Sequence, residues 1–513
     1  MSKVAKATIG LMIVTMISKV LGFGRELALT YVYGASSIAD AYITSVSIPT
    51  ILFASVGTAL ATTFIPLFYE IDKSKGMNKS IDFANNVFNI VILISGILAI
   101  VGFIFAGPLV KIFAMDFIGE KLQLATNFTR IMIFGVIFIG LSNIMTSWLQ
   151  INGDFAIPGM IGFPFNIFII IGIFFSSKGN VEIMAIGTLI GIASQFLFQL
   201  PFAIKKGYRY KLYINLKDEY IKKMIWLIVP VFIGVGVNQI NAIVDRSLAS
   251  TLGDGVITVL NSANRLNGFV LGLFISTIAS VIYPTLSKLS TNDNKDKFAE
   301  SVAQSVNTVM ILIMPISVGA IVLAEPVVRI VFERGAFNSE ATNMTAIALA
   351  CYSIGMIGFG LRDILSKVFY SLKDTKTPMV NGALAMGMNI VLNLIFIKFL
   401  GYAGLALATS LSALICIILL FISLKKKIGY FGQDKILKTG MKSLIAAFVM
   451  GGITIIAYDF IANMIGIGFI KEAITLVLAV GIGALTYGIL IVLLKVEEVN
   501  VVINMLKRKL SKV

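Results

Sequence analysis

The sequence predicts an all-α polytopic membrane protein with about 14 transmembrane helices, and three observations support this. Of its 513 residues, 58% are hydrophobic and only 13% are charged, whereas a soluble domain carries roughly a quarter charged residues. The mean hydropathy is +0.94. Long apolar runs recur along the whole chain, and most reach the roughly 20 residues that a helix needs to cross a bilayer.

The apolar runs define the predicted helices in order. Their approximate bounds are 8–31, 38–69, 81–107, 121–150, 157–177, 182–204, 224–250, 257–287, 301–323, 339–370, 378–397, 403–424, 440–461 and 471–494. The first run contains charges and lacks a small-residue cleavage site, so we expect a retained helix and not a signal peptide. The links are short, so the sequence predicts no separate soluble domain.

Positive charge is distributed unevenly between the two sides of the membrane. The links alternate between sides, and the side that holds the N-terminus (side one) carries 27 of the 42 Lys and Arg residues. Basic residues concentrate on the cytoplasmic side, so both termini are predicted to be cytoplasmic. The net charge of +16 therefore indicates topology and contact with anionic membrane lipids, through 205–223 and 507–513, and not nucleic acid binding.

An internal repeat is predicted from sequence matches separated by nearly one period. The matches lie 218 to 221 residues apart: Pro66 with Pro284, the Asp-x-x-x-Pro spacing of Asp154 and Pro158 with that of Asp374 and Pro378, and Arg25 with Arg246. The period predicts two six-helix lobes, 1–220 and 221–440, followed by two extra helices and a basic tail in 441–513. Because six is even, both lobes enter from the same side, which makes a parallel pseudo-two-fold repeat. Transporters built from repeats bind substrate between them.

Several charged residues are predicted at membrane depth, where each costs about 2.5–3.5 kcal/mol unless it faces a cavity or a partner. The candidates for substrate binding are Lys19, Arg25, Glu26, Asp40, Arg246 and Arg265. An excess of Lys and Arg suits an anionic substrate, especially a phosphate. The alternative is internal ion pairing, in which Glu26 or Asp40 pairs with Lys19 or Arg25. Gly22 and Gly24 would let the first helix bend.

The sequence favours a secondary transporter over an enzyme. It contains no phosphate-binding loop of the G-x-x-x-x-G-K-[ST] type and no histidine, and its acids are isolated. The two cysteines, Cys351 and Cys416, predict neither a disulfide nor a metal site. Oxygen ligands that suit Na⁺ occur at Asp245, Asn389, Asn393 and Thr409. Hydrogen bonding between helices is the alternative role for the two asparagines.

Four segments together carry a resemblance to a known family: "SKVLGFGRELALTYVYGASSIADAYITSVSIP", "ANRLNGFVLGLFISTIASVIYPTLSK", "VFERGAF" and "VFYSLKDTKTP". They closely resemble the MurJ (MviN) family of lipid II flippases, which belongs to the superfamily of multidrug and polysaccharide exporters. The resemblance implies fourteen helices in two lobes with an additional C-terminal pair. It also implies transport of undecaprenyl-pyrophosphate-linked peptidoglycan precursor across the bacterial cytoplasmic membrane, and we expect a monomer.

The resemblance also assigns roles to particular residues. Lys19, Arg25 and Arg265 match cationic cavity positions that would meet the pyrophosphate, and Asp40 matches an acidic position. The last two helices would form a groove for the lipid tail. A sodium site described in the family resembles Asp245, Asn389, Asn393 and Thr409, although an acid can stand there where this chain has Asn393. The second helix lacks an Arg that some members carry after its proline, so either the cavity has fewer cations or Arg246 or Arg130 compensates.

Three other functions remain open from the residues. An exporter of another lipid-linked polysaccharide unit would share the fold. A drug/cation antiporter would also share it, but a cavity rich in Lys and Arg would repel cationic drugs. A membrane glycosyltransferase would need clustered catalytic acids, and none is evident. The "KDTKTP" turn has a structural interpretation, in which Thr377 caps the eleventh helix and Pro378 occupies its first turn.

Overall fold

A computed structural model describes residues 3–290, 295–466 and 468–498, and these residues form helices and turns without a strand. The predicted basic tail at 507–513 lies outside them. The helices are α1 (Lys3–Tyr33), α2 (Ser37–Lys75), α3 (Met77–Ile104), α4 (Ala106–Phe113), α5 (Gly119–Met132), α6 (Gly135–Ile151), α7 (Ala156–Met160), α8 (Gly162–Ser176), α9 (Glu182–Lys205), α10 (Glu219–Ala249), a 3-10 turn (Ser250–Leu252), α11 (Val256–Ser290), α12 (Lys295–Val322), α13 (Ala324–Phe332), α14 (Ser339–Ile354), α15 (Met356–Ser371), α16 (Lys376–Ile428), α17 (Gln433–Ile465) and α18 (Phe469–Leu493).

The all-α membrane fold is confirmed. Among the described residues, eight helical segments are long and apolar enough to cross a membrane, or nine if α14 and α15, bent by 41°, form one span. One of the eight is α16, which is two helices joined at Gly401, where φ is 55° and ψ is −130°. The remaining predicted runs correspond to α1, α2, α10 and α11. The helices therefore agree with the predicted count of about fourteen.

Small residues allow two helices of the first half to pack closely. A Cβ added to Gly172 in α8 would lie 2.9 Å from the Cα of Gly187 in α9, and one added to Gly187 would lie 2.7 Å from the Cα of Gly172. Glycine lets helix backbones approach each other in a membrane, where dispersion and hydrogen bonding replace the hydrophobic effect as the force between helices. The sequence "IGIFF…AIGTL" therefore specifies this contact without any polar side chain.

The first compact unit comprises Met1–Thr258 with Arg334–Phe337. In it, α2 packs against α3, α5 and α6, while α1 packs against α7 and α8. Helix α10 packs against α2 and α4, although it begins the predicted second lobe. Two ion pairs join its first turn to the end of α2: Lys223 Nζ lies 2.7 Å from Glu70 Oε1, and Lys75 pairs with Glu219.

The second compact unit comprises Val259–Glu333 and Asn338–Val513. Its core joins α11, α12, α15 and α16 through buried residues such as Val306, Leu365 and Phe369. Helix α17 packs against α12, and α18 packs against α17. The two extra helices are thus part of this unit. The symmetry between the predicted lobes stays a prediction.

The start of α16 corrects the predicted cap. Thr377 does not accept a hydrogen bond from the helix; its N–H donates to Asp374 Oδ1 (3.0 Å) and its hydroxyl donates to Asp374 Oδ2 (2.8 Å). Asp374 is the acceptor because its carboxylate precedes the first turn and also binds Lys427 Nζ at 2.6 Å. The bond from Lys427, followed by those from Thr377, lowers the pKa of Asp374 to about 2. Pro378 occupies the first turn as predicted.

Two glycine turns of the first unit pack against each other. Gly34 follows α1 with φ of 59°, and Gly335 lies in the "FERGAF" turn with φ of 60°. The N–H of Ala336 donates to Tyr31 O at 2.9 Å. A Cβ on Gly335 would lie 2.2 Å from Tyr31 O, and one on Gly34 would lie 2.3 Å from Ala336 O. Only glycine satisfies both the positive φ and the backbone contact.

We therefore predict that Gly335→Ala destabilises this conformation by more than about 3 kcal/mol, because the new methyl group overlaps a backbone oxygen. The matched control is Gly119→Ala, where φ is 52° but a Cβ meets nothing within 4 Å. The control substitution should lower the stability by only about 1–2 kcal/mol, which is the strain of a non-glycine residue in the left-handed conformation. Thermal unfolding of the purified variants measures the difference. Equal losses of stability would show that the contact between the two turns is unimportant.

Candidate substrate-binding site

Two cations of the predicted first span, Lys19 and Arg25, lie on α1. Arg25 is half-buried, and its guanidinium lies over the ring of Phe165 in α8, 5.4 Å from the centroid. Lys19 is exposed. Of the residues that the structure describes, no carboxylate lies within 4.0 Å of the charged nitrogens of Lys19 or Arg25. The predicted ion pairs of Lys19 or Arg25 with Glu26 or Asp40 are therefore wrong for this conformation.

The helix that carries these cations is continuous. α1 runs through Gly22 and Gly24 without interruption. A Cβ on Gly22 would meet Asn166 of α8 at 3.8 Å, an ordinary contact, and one on Gly24 would meet nothing within 4 Å. Glu26 is buried, with 5% of its surface exposed. Bending at the glycines stays a prediction about another conformation.

Asp40 belongs to a buried network at the start of α11. Its carboxylate is 0% exposed and accepts hydrogen bonds from the N–H of Gly255 (2.7 Å) and from the N–H and hydroxyl of Thr258 (2.9 and 2.7 Å). Lys121 Nζ lies 2.9 Å from Asp40 and 2.7 Å from Asp254. The carboxylate thus satisfies N–H groups that a helix N-terminus leaves unpaired, where negative charge is favourable.

The network gives Asp40 a structural role in this conformation, because a fully buried carboxylate with four donors has no surface left for a ligand. Its cation is Lys121, and not Lys19 or Arg25 as the ion-pair alternative proposed. The sequence contains Lys121 only as a charge at the edge of an apolar run, and its partner lies 81 residues away. No local pattern connects them.

The remaining predicted cations differ in exposure. Arg246, in the last turn of α10, is half-buried, whereas Arg265 in α11 is exposed. Arg130 is exposed and lies over the ring of Phe103, with 5.7 Å between its Cζ and the ring centroid. Arg246 belongs to the first compact unit and Arg265 to the second. Convergence of the cations on one cavity stays a prediction.

Three of the four predicted sodium ligands form one hydrogen-bonded group in α16. Asn393 Nδ2 donates to Asn389 Oδ1 at 3.2 Å, and Asn389 Nδ2 donates to Thr409 Oγ1 at 3.5 Å. Both asparagines are buried. Asp245, in the other unit, accepts a hydrogen bond from Asn241 at 3.1 Å. The group supplies the oxygen atoms that a hard cation prefers, and it also links the two halves of α16.

Comparison with known proteins identifies the family. The family model "Lipid II flippase MurJ" matches residues 29–476. The chain belongs to the MurJ family of lipid II flippases. It is 32% identical over 502 residues to a probable lipid II flippase MurJ of Vibrio cholerae, with 94% of each chain covered. A lipid II flippase MurJ of Burkholderia cenocepacia is 28% identical, and the alignment covers 86% of this chain and 87% of the relative.

Solved structures support the same assignment. A lipid II flippase MurJ in an inward closed conformation matches with a TM-score of 0.79 and 29% identity, covering 94% of this chain and 98% of its own. An inward-facing multidrug transporter of the MATE family matches with a TM-score of 0.67 at 14% identity, covering 83% of this chain and 99% of its own. The second match shows a shared fold alone. This member of the MurJ family is a transporter of the cytoplasmic membrane and not an enzyme.

The buried network predicts a large difference between two carboxylates that share one lysine. Asp40→Asn should destabilise the protein by about 3 kcal/mol, because the amide NH₂ replaces an acceptor oxygen and leaves buried donors of Gly255 or Thr258 unsatisfied. Asp254→Asn should cost less than about 1 kcal/mol, since Asp254 is 67% exposed. Thermal unfolding of the two purified variants compares them directly. Similar midpoints would refute the structural role of Asp40.

Proposed function

We propose that this protein moves lipid II from the inner to the outer leaflet of the bacterial cytoplasmic membrane by alternating access, acting as a monomer. Lys19, Arg25 and Arg265, with Arg246, would bind the pyrophosphate of the lipid. Membership of the MurJ family supports the substrate. The fold shared with a transporter solved in an inward-facing conformation supports alternating access. The last two helices, α17 and α18, would hold the lipid tail.

The observation that carries the proposal is the environment of Arg25. A guanidinium at membrane depth is costly, and such residues normally face a partner or a water-filled path. Arg25 instead contacts the face of Phe165, and among the described residues no carboxylate is within ion-pair distance. The aromatic contact orients the planar fork without consuming its donors. A fork with available donors suits the oxygens of a pyrophosphate.

Complementation of a bacterium depleted of its own lipid II flippase tests this role. Arg25→Ala and Arg265→Ala should each fail to support growth while the protein still inserts and accumulates. The matched control is Lys178→Ala, which removes a cation that also lies over a phenylalanine ring, 5.2 Å from the centroid of Phe175. The control should support growth. Growth with Arg25→Ala at normal abundance would exclude Arg25 from substrate binding.

A double variant separates substrate binding from charge balance. If Arg25 only balances buried Glu26, Arg25→Ala/Glu26→Gln should restore growth that Arg25→Ala loses. If Arg25 binds substrate, the double variant should fail as the single variant does, because neutralising a neighbour cannot replace a lost donor. Immunoblotting of membrane fractions controls for abundance.

Both termini lie in the cytoplasm in this proposal, which the excess of Lys and Arg on side one supports. A cysteine added after Val513, in a variant with Cys351 and Cys416 replaced by alanine, reports this orientation. In intact cells it should resist a membrane-impermeant maleimide and react only after the cells are permeabilised. Labelling in intact cells would show that the C-terminus lies outside the cytoplasm and would contradict the proposed orientation.

We also propose that Na⁺ drives the transport, with Asp245, Asn389, Asn393 and Thr409 as ligands. The group in α16 has the donor chemistry for such an ion, and Asp245 would add the negative charge. Asp245→Asn should remove any stimulation of transport by Na⁺ in proteoliposomes while lipid II still binds. Unchanged stimulation in that variant would leave the asparagines with hydrogen bonding between helices as their role.

A further inference from the structure

A basic cavity lies at the side-one end of the first compact unit, apart from the cations of α1. Its volume is about 750 Å³, and it opens where α2, α6 and α9 end and α3 begins. Its lining combines aromatic, amide and charged side chains: Phe68, Asn78, Asp82, Trp148, Asn152, Lys206, Arg209, Tyr210 and Lys211 among them. Such a mixture of apolar wall and convergent polar groups is typical of a ligand site.

The charge of the cavity lining is positive. Three cations, Lys206, Arg209 and Lys211, face a single carboxylate, that of Asp82. Lys211 Nζ pairs with Asp82 Oδ1 at 3.1 Å. Within the described part of the chain, no carboxylate lies within 4.0 Å of the charged nitrogens of Lys206 or Arg209. Two cations therefore remain for an anionic ligand.

The backbone that carries these cations is held in place by side chains of α3. The N–H of Lys211 donates to Asn85 Oδ1 (2.9 Å), and Asn85 Nδ2 donates to Arg209 O (3.0 Å). Asn89 Nδ2 donates to Lys211 O at 3.0 Å, and Asn86 exchanges two bonds with the backbone of Asn215, at 2.8 and 2.9 Å. Asn85 and Asn86 are 0% exposed. The backbone of Arg209 and Lys211 is thus preorganised, which reduces the entropy cost of binding.

Tyr210 packs against α3: its hydroxyl donates to Asn89 Oδ1 at 2.9 Å, and its ring centroid lies 5.7 Å from that of Phe88. The residues that follow carry an exposed apolar stripe. Every second residue of this stripe is a large exposed hydrophobe: Leu212 (78%), Ile214 (49%) and Leu216 (58%). A period of two places these side chains on one face of an extended chain. Three such side chains beside a basic cavity fit the boundary between headgroups and acyl chains, where apolar and cationic residues occur together.

We propose that this cavity binds the phosphate headgroup of an anionic phospholipid in the side-one leaflet. Lys206 and Arg209 would contact the phosphate, and Trp148 and Phe68 would form the apolar wall. The stripe from Leu212 to Leu216 would rest on the acyl chains of the bilayer. The site is separate from the proposed binding of transported lipid II by α1. It also differs from general attraction of a basic segment to the membrane, because particular lysines and arginines line the cavity and others in the same segment do not.

The test measures equilibrium binding of labelled phosphatidylglycerol to the purified protein in phosphatidylcholine nanodiscs that contain no lipid II. The emission of Trp148 is followed in the same samples. The protein contains 2 tryptophans, so Trp226→Phe, which replaces a residue that is 79% exposed, leaves Trp148 as the only reporter. We expect binding of phosphatidylglycerol to saturate. The Trp148 emission should change with the same half-saturation concentration as the binding of the labelled lipid.

Two double variants locate the binding. Lys206→Gln/Arg209→Gln removes two cations that line the cavity and should weaken phosphatidylglycerol binding at least tenfold. The matched control Lys205→Gln/Lys217→Gln removes two cations of the same segment that do not line it. The control should change binding less than twofold. Equal weakening of phosphatidylglycerol binding in both variants would show only general electrostatic attraction, and it would overturn the proposal of a specific site in the cavity.

A titration with a water-soluble phosphate distinguishes binding of a lipid headgroup from binding of a free phosphate. Glycerol phosphate is titrated into the same protein in nanodiscs of phosphatidylcholine alone. A much weaker response than that to phosphatidylglycerol supports the lipid. A response with equal half-saturation would overturn the lipid assignment in favour of a soluble phosphate. The absence of binding in both arms would overturn the site altogether. Complementation is scored separately, so failure of this site leaves the proposed transport function untouched.

Discussion

The cost of placing a charge within a membrane is the constraint on which this structure depends. It separates the charged residues of the first unit into two classes. Asp40 is fully buried, and four donors from the protein compensate its charge. Arg25 lies over the ring of Phe165, and among the described residues no carboxylate lies within ion-pair distance of it. The first class stabilises the fold, and we propose that the second binds a ligand that brings its own negative charge.

The same constraint explains the segment between α9 and α10. Its backbone is not helical, so its N–H and C=O groups need partners from elsewhere when they lie against the bundle. Asn85, Asn86 and Asn89 provide them from the first half of α3. One set of amides therefore both satisfies this backbone and fixes the backbone position of Arg209 and Lys211. Stability of the segment and preorganisation of the basic cavity have one cause.

The sequence predicted what depends on composition and on family motifs, and it missed contacts between distant residues. Apolar runs were sufficient to place the helices, because a span needs length and hydropathy. The partner of Asp40 could not be found, since Lys121, Gly255 and Thr258 are 81 to 218 residues away. The predicted cap of α16 was wrong by three residues because Asp374 and Thr377 are both good capping residue types. The helix begins at Lys376, so Thr377 lies inside it and donates its N–H to Asp374. The segment "FANNVFN" did indicate a polar contact, since three asparagine amides in an apolar run need hydrogen-bond partners.

The central claim is that Arg25 binds the pyrophosphate of the transported lipid. Equilibrium binding of labelled lipid II to purified wild-type protein, Arg25→Ala and Lys178→Ala tests it without the complications of growth. A charge-assisted hydrogen bond is worth about 1.5–3 kcal/mol, and about 1.4 kcal/mol changes affinity tenfold. The account predicts at least a tenfold loss of affinity for Arg25→Ala and an unchanged affinity for Lys178→Ala. Equal affinity of all three proteins for lipid II would contradict it.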